Sequence, residues 1–257
     1  MLEELVELTT ELLVPQEKYL ESGIHIGTKL KTGDMKPFIY KTRQDRLYVL
    51  DLKKVDERIR YAAKFMQRFN PKEVVVVASR TYAVNAAKVF CSLTGCRIRA
   101  ERFVPGLFTN PSRPDFAEPK LVFVCDPKSE KQAVKEAAVM GIPVIGLCDT
   151  DNSTAFLDWV VPCNNKGKKS LALIFYLLAR EFLKQAGSVQ TDADFTVPLE
   201  KFEEGAEEQA EPPVKEAEAP VAEPAPEPEK KPKRKKAKKK EAEGEEEAGG
   251  EEAPPAA

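Results

Sequence analysis

The sequence predicts an α/β domain built on a central, mostly parallel sheet, followed by a disordered C-terminal tail. Two observations predict the sheet. Short β-branched and apolar runs without polar alternation, such as EVVVVAS at 73–79 and LVFVC at 121–125, suit strands covered on both faces. These runs alternate with helical patterns along the chain, the order that parallel βαβ units require. A third observation predicts the tail: only four of the last 59 residues are Leu, Ile, Val or Phe, too few to offset the entropy of ordering the chain.

The elements follow in order. From Asp51, the apolar residues Leu52, Val55, Ile59, Ala62, Met66 and Phe69 recur at three- and four-residue intervals, with Lys53, Lys54, Arg58, Arg60, Lys64 and Arg68 on the other faces. That is an amphipathic helix with Asp51 as its N-cap. A strand at 73–79 leads to a helix near 82–93. Further strands are expected at 96–103, 121–125, 142–148 and 159–163, with helices near 129–140 and 170–185. The longest apolar run, 171–179, is nine residues and ends at Arg180 and Glu181, which makes it a buried helix rather than a membrane span.

Charge divides the chain. Residues 1–198 carry 29 basic and 24 acidic side chains, and residues 199–257 carry 11 and 18, so a body of about +5 precedes a tail of −7. The expected organisation is an acidic amphipathic segment over 1–14, a single domain over 15–198 and the tail over 199–257. The N-terminus is acidic where an export signal would be basic. Five cysteines without a paired framework fit a reducing cytoplasm.

Ligands of doubly wound sheets bind outside the carboxyl ends of the strands. Those ends read ASRTY, CDPKS, CDTDN and CNNKG. Dinucleotide binding needs glycines where the first strand turns into its helix, and VVVVASRTYAV has none. CNNKGKKS lacks both the leading glycine and the Ser or Thr of a phosphate loop. Cys125, Cys148 and Cys163 fall at strand ends but lack the close pairing of a zinc site, so they read as core residues, with no metal expected. Asp126, Asp149 and Asp151 are the acids of a receiver-like alternative, yet such residues also cap helices and form turns, and Asp126 precedes Pro127. His25 is the only histidine and has no Ser or Cys nucleophile beside it.

What remains is a set of basic loops. Residues 28–46 hold six cations against two aspartates, interleaved with Phe38 and Tyr40 and followed by Tyr48. Arg97, Arg99, Arg102 and Arg113 flank FVPGLFTNPS, and Lys166, Lys168 and Lys169 precede the last helix, whose free N–H groups favour phosphate. Basic loops carrying Gly, Asn, Thr and aromatic residues suit a structured polyanion such as RNA.

The segments ESGIHIGTK, MKPFIY, RFVPGLFTNP, EPKLVFVCDP, LCDTDN, VPCNNKGKKS and LAREFLK, in this order and spacing over residues 15–186, resemble the universal second protein of the small ribosomal subunit. The likeness is to its archaeal and eukaryotic branch, the SA or laminin-receptor precursor family. The resemblance implies a flavodoxin-like three-layer sandwich that binds small-subunit ribosomal RNA and neighbouring ribosomal proteins. It implies a cytoplasmic monomer within the ribosome, with no enzymatic activity, cofactor, small-molecule substrate or membrane association. The RNA-binding residues expected are Lys29, Lys31, Lys36, Lys41, Arg43, Arg46, Arg99, Arg102, Asn110, Arg113, Lys166, Lys168 and Lys169, with Gly23, His25 and Gly27 as a structural element. The helical hairpin that bacterial members insert is absent, and the tail does not resemble the Trp-containing tail of animal members. The alternative is a receiver-like or nucleotide-binding enzyme on the same sheet.

Overall fold

The computed structural model describes residues 12–189 and 195–204. Helix α1 (Gln16–Ser22) ends at Gly23, whose φ of 69° is the left-handed conformation that lets its N–H close back on the Leu20 carbonyl. A hairpin follows, β1 (Ile39–Thr42) antiparallel to β2 (Tyr48–Leu50), with a bulge between Ile39 and Lys41. The basic stretch expected as loop is therefore partly strand. Its turn closes through Arg43 N–H to the Leu47 carbonyl at 2.8 Å, with Arg46 left-handed at φ 61°.

Helix α2 (Leu52–Met66) starts where expected, since the Asp51 carboxylate accepts the Lys53 N–H at 3.1 Å. It buries Val55, Ile59, Ala62 and Met66, the face that the periodicity marks. The chain then runs β3 (Val74–Ala78), α3 (Thr81–Thr94), β4 (Arg97–Ala100), β5 (Leu121–Val124), α4 (Lys131–Met140), β6 (Val144–Cys148), β7 (Trp159–Pro162), α5 (Lys168–Gln185) and α6 (Leu199–Glu204).

The five strands from β3 onward pair in parallel in the order β4-β3-β5-β6-β7. This is the flavodoxin-like order, in which the direction of winding reverses between the first strand and the third. Alternate residues explain the unbroken apolar runs. Val74, Val76, Leu121, Phe123, Ile145 and Leu147 face α2, α3 and α5, whereas Val75, Val77, Val122 and Val124 face α4 and the loop bearing Phe103, Leu107 and Phe108. Both faces are thus dry, and each such side chain contributes about 1.5–3 kcal/mol through burial. Phe175 of α5 joins the layers, its ring 5.6 Å from that of Phe90 and 5.9 Å from that of Phe123.

Packed residues extend past the expected domain, 15–198, at both ends. Val14 is buried, and Leu13 is held by its N–H to Asp56 (2.9 Å) and by its carbonyl to Arg180 (2.8 Å), so the packed chain includes residues 12–14. At the other end, residues 199–204 are helical and Phe202 is 1% exposed, its ring 6.0 Å from that of Tyr176. A composition averaged over 59 residues rich in Glu, Lys, Ala and Pro hides one well-placed aromatic. The remainder of the acidic N-terminal segment (1–11) and of the expected tail (205–257) lies outside the described residues. Among the described residues, no helix is long and apolar enough to cross a membrane.

Candidate nucleic-acid interface

The basic segment is anchored before it is displayed. Asn164, just beyond β7, donates its backbone N–H to the Ile24 carbonyl (3.0 Å) and its side-chain amide to the Gly23 carbonyl (3.2 Å). The Gly27 N–H bonds the Tyr48 carbonyl at 2.8 Å, and the Thr28 N–H bonds the hydroxyl of Thr150 at 2.9 Å. Thr32 closes the span, its N–H on the Thr150 carbonyl and its hydroxyl on the Asn152 carbonyl. A segment from early in the chain is thereby tied to the carboxyl ends of β6 and β7, and the intervening cations project from a fixed base.

Gly27 is needed for this approach, because a Cβ there would lie 2.5 Å from Cγ2 of Thr150 and 3.0 Å from the Tyr48 carbonyl oxygen. His25 acts mainly through its backbone, whose carbonyl accepts the Leu50 N–H at 2.8 Å. Its Nδ1 is buried and has no hydrogen-bond partner among the described residues. Burial pulls the imidazole pKa below its ordinary value, the Tyr19 carbonyl opposes this, and the Arg43 charge adds to the lowering.

Lys29, Lys31, Lys36, Lys41, Arg43 and Arg46 are all exposed. Lys31 lies 4.8 Å from the centre of the Tyr48 ring and Lys41 lies 5.7 Å from that of Tyr40, itself 70% exposed. Arg43 approaches Asp45 at 4.0 Å, an exposed pair that solvent screens. A groove of about 1070 Å³ runs beside the hairpin, lined among others by Leu20, His25, Tyr40, Lys41, Arg43 and Lys53. Cations beside an exposed ring and an apolar floor can hold phosphate and stack a base at once. Arg58 and Lys54 of α2 join this side without having been expected. The Arg58 guanidinium sits between Phe38 (5.2 Å) and Trp159 (4.4 Å), and Lys54 reaches the Pro37 carbonyl. Their helical periodicity makes them resemble ordinary solvated positions, so spacing alone carries no signal for them.

The other expected cations divide. Lys168 and Lys169 are the first residues of α5 and are exposed, and Lys169 is 4.0 Å from Glu21. Lys166 points inward to Asp149 (3.1 Å) and Asp151 (3.0 Å), and Lys128 reaches the second oxygen of Asp151 at 3.0 Å. Arg99, Arg102, Asn110 and Arg113 stand apart, on and after the edge strand β4 at the far side of the sheet from β7. Arg113 forms a two-pronged pair with Asp115 (2.9 and 3.0 Å) that raises the pKa of the arginine and lowers that of the aspartate. Arg99 donates to the Asp115 carbonyl at 3.3 Å, Asn110 accepts the Ser112 N–H at 3.1 Å, and Arg102 is exposed.

The crevice where an enzyme of this topology would hold its ligand lies between β3 and β5. Here its carboxylates are bonded within the chain. Asp126 accepts from Arg80 (2.6 and 2.9 Å), Ser129 (2.8 Å) and Asn152 (2.8 Å). Burial pushes its carboxyl up, but those hydrogen bonds and the guanidinium outweigh it and leave the pKa below the ordinary value. Glu130 accepts the N–H groups of Ser79, Cys125 and Asp126 together with the Ser79 hydroxyl, while its burial pushes the pKa up to about 7. Asp126 forms the expected turn through the Lys128 N–H, and it also ties three strand ends together. Cys125, Cys148 and Cys163 are buried thiols whose pKa values burial raises. Among the described residues, no group of three or more His, Cys, Asp or Glu side chains is placed to hold a metal ion.

Comparison with known proteins agrees with this arrangement. The profile of the family described as ribosomal protein S2 matches residues 19–115 and 115–184. A relative from Staphylothermus marinus, named small ribosomal subunit protein uS2, is 50% identical over 193 residues, which are 75% of this chain and 88% of the relative. Proteins of the same name from Methanococcus maripaludis and Thermofilum pendens are 51% and 50% identical over 185 and 202 residues, covering 72% and 79% of this chain and 84% and 94% of theirs. With the crevice carboxylates bonded within this chain, an anchored basic surface and half-identical relatives along most of their length, the chain belongs to the ribosomal protein S2 family.

Proposed function

We propose that this protein is a structural constituent of the small ribosomal subunit, which binds ribosomal RNA and neighbouring ribosomal proteins and catalyses nothing. The observation that carries the reading is the anchoring of residues 23–32 to Thr150, Asn152 and Asn164, which presents exposed cations and Tyr40 on a rigid support. Phosphate contacts then supply affinity, and the fixed geometry supplies register. The RNA-contacting set is Lys29, Lys31, Lys36, Lys41, Arg43, Arg46, Lys168 and Lys169, with Arg99, Arg102, Asn110 and Arg113 forming a second group. Lys166 supports this surface from within through Asp149 and Asp151. Gly23, Gly27 and the His25 carbonyl hold the base of the loop.

The protein acts in the cytoplasm as one copy per subunit, without cofactor, membrane or small-molecule substrate. No geometry favours a receiver-like or nucleotide-binding enzyme, since the Asp126 and Asp149 carboxylates are already bonded to side chains of this chain. Co-sedimentation of the purified protein with small subunits in moderate salt tests the proposal. Stoichiometric association is expected. Free protein in the presence of subunits depleted of their own copy overturns it.

A further inference from the structure

On the far side of the sheet from the anchored loop lies a cleft of about 570 Å³, formed where the chain leaves β4 and where α4 begins. Its walls include Arg102, Lys131 and Lys135, all exposed and none paired with a carboxylate among the described residues. Lys131 and Lys135 stand one turn apart on α4 and so occupy one face of the helix. Neither was expected from the sequence as an RNA contact, because a lysine pair at helical spacing reads as a solvated face.

The acids nearby are spent. Glu130 lines the floor, but both of its oxygens accept hydrogen bonds from Ser79, Cys125 and Asp126. Glu136 accepts the N–H groups of Gly106 (2.7 Å) and Phe108 (3.2 Å) and the amide of Gln132 (2.8 Å), which also fixes the loop that carries Arg102 against α4. Asp126 holds Arg80. Three cations without a carboxylate partner among the described residues therefore line one open space at the start of α4, where the side chain of the N-cap residue Glu130 makes no capping hydrogen bond and the backbone dipole adds to the cationic field.

We propose that this cleft is a phosphate-binding site, separate from the anchored basic loop. Three converging cations fit a phosphate group, whose oxygens accept several charge-assisted hydrogen bonds together. The volume exceeds what one phosphate requires and leaves room for a flanking sugar, which suits a phosphodiester of RNA as well as a phosphate carried by a small molecule. The RNA source rests on the ribosomal reading above, and the free-phosphate source does not.

The test compares the full chain with its Lys131→Ala/Lys135→Ala variant, both positions being exposed in a helix that alanine favours. In one arm, binding to small-subunit ribosomal RNA is measured across a salt series. The variant should lower the slope of log affinity against log salt by about 0.7–0.9, the change for one phosphate released. In the other arm, inorganic phosphate is titrated against the amide resonances of residues 129–132. Shifts in the native chain that disappear in the variant assign the site to a free phosphate ligand. A changed RNA slope without those shifts assigns it to the RNA backbone. An unchanged slope together with no variant-sensitive shift overturns the site. If the native chain fails to bind RNA at all, the ribosomal proposal fails, and the phosphate arm alone decides the cleft.

Discussion

Gly27 and Thr150 meet so closely that no side chain fits between them: a Cβ on Gly27 would fall 2.5 Å from Cγ2 and 2.9 Å from Oγ1 of Thr150. The contact fastens the basic loop to the end of β6 and makes its geometry depend on one hydrogen atom. Gly27→Ala should therefore destabilise the fold by about 1–3 kcal/mol, an overpacking cost. Thr150→Ala should recover part of that loss, seen as a partial return of the melting temperature in the double variant. A Gly27→Ala protein as stable as the native one would mean that the loop is free to lift.

Lys31, Lys41 and Arg46 extend from this fixed base into solvent, whereas Lys166 is turned inward. Alanine at any of the first three should lower the salt slope of RNA binding by about 0.7–0.9 and leave the melting temperature unchanged. Lys166→Ala should do the opposite, lowering the melting temperature because it strips Asp149, 1% exposed, of its partner. Equal effects on slope from all four would show that Lys166 leaves its carboxylates to meet RNA.

His25 is the only imidazole, so its titration is directly visible by NMR. Burial places its folded pKa below the ordinary 6.5. The folded state then binds its proton less readily than the unfolded state. The contribution to stability is complete above pH 6.5 and is lost as pH falls through the folded pKa. The expected titration midpoint is below 6.5, and His25→Gln should remove this part of the acid destabilisation. A midpoint above 6.5 would place an unseen carboxylate beside the ring.

Asp126 makes the opposite kind of contribution to pH dependence, through a carboxyl held below its ordinary 3.8. Its stabilisation is present above that value and is lost as pH falls through the folded pKa. Arg80→Ala should cost about 1–3 kcal/mol, because Asp126 is buried but the Arg80 side chain is 37% exposed and screened, and Ser129 and Asn152 still bond the carboxylate. It should also move the acid unfolding midpoint upward. An acid midpoint that stays in place would remove the guanidinium from the account.

Phe202 packs its ring near Tyr176 of α5 and is almost fully buried. Phe202→Ala should cost about 3–5 kcal/mol, or on the order of 10 °C in melting temperature for a domain of this size. Ending the chain after Pro198 should cost at least as much, whereas ending it after Glu204 should preserve the fold. Calorimetry on the two truncations separates these outcomes.

The five strands of the parallel sheet and helices α2 to α5 were legible in the sequence because each is set by residues close together in the chain, whereas α1, α6 and the β1–β2 hairpin were not expected. Unbroken β-branched runs mark strands buried on both sides, and the spacing from Leu52 to Met66 with Asp51 as cap marks one face of a helix. The clustering of cations in loops with Gly, Asn and aromatic residues was likewise legible as a surface for a polyanion, since each cluster is local in the chain. The tertiary structure decided which charges are available. Lys166 and Arg113 look equivalent to Lys31 in a string of letters, yet both face carboxylates. Lys131 and Lys135 look like a solvated helix face, yet they open on a cleft with Arg102. Gly27 needs its missing side chain because of Thr150, and Thr28 and Thr150 bond across a separation of 122 residues. Such pairings depend on the strand order, which brings distant loops to one edge of the sheet. Periodicity has a range of a few residues, whereas the order of the strands arises from the packing of the whole chain.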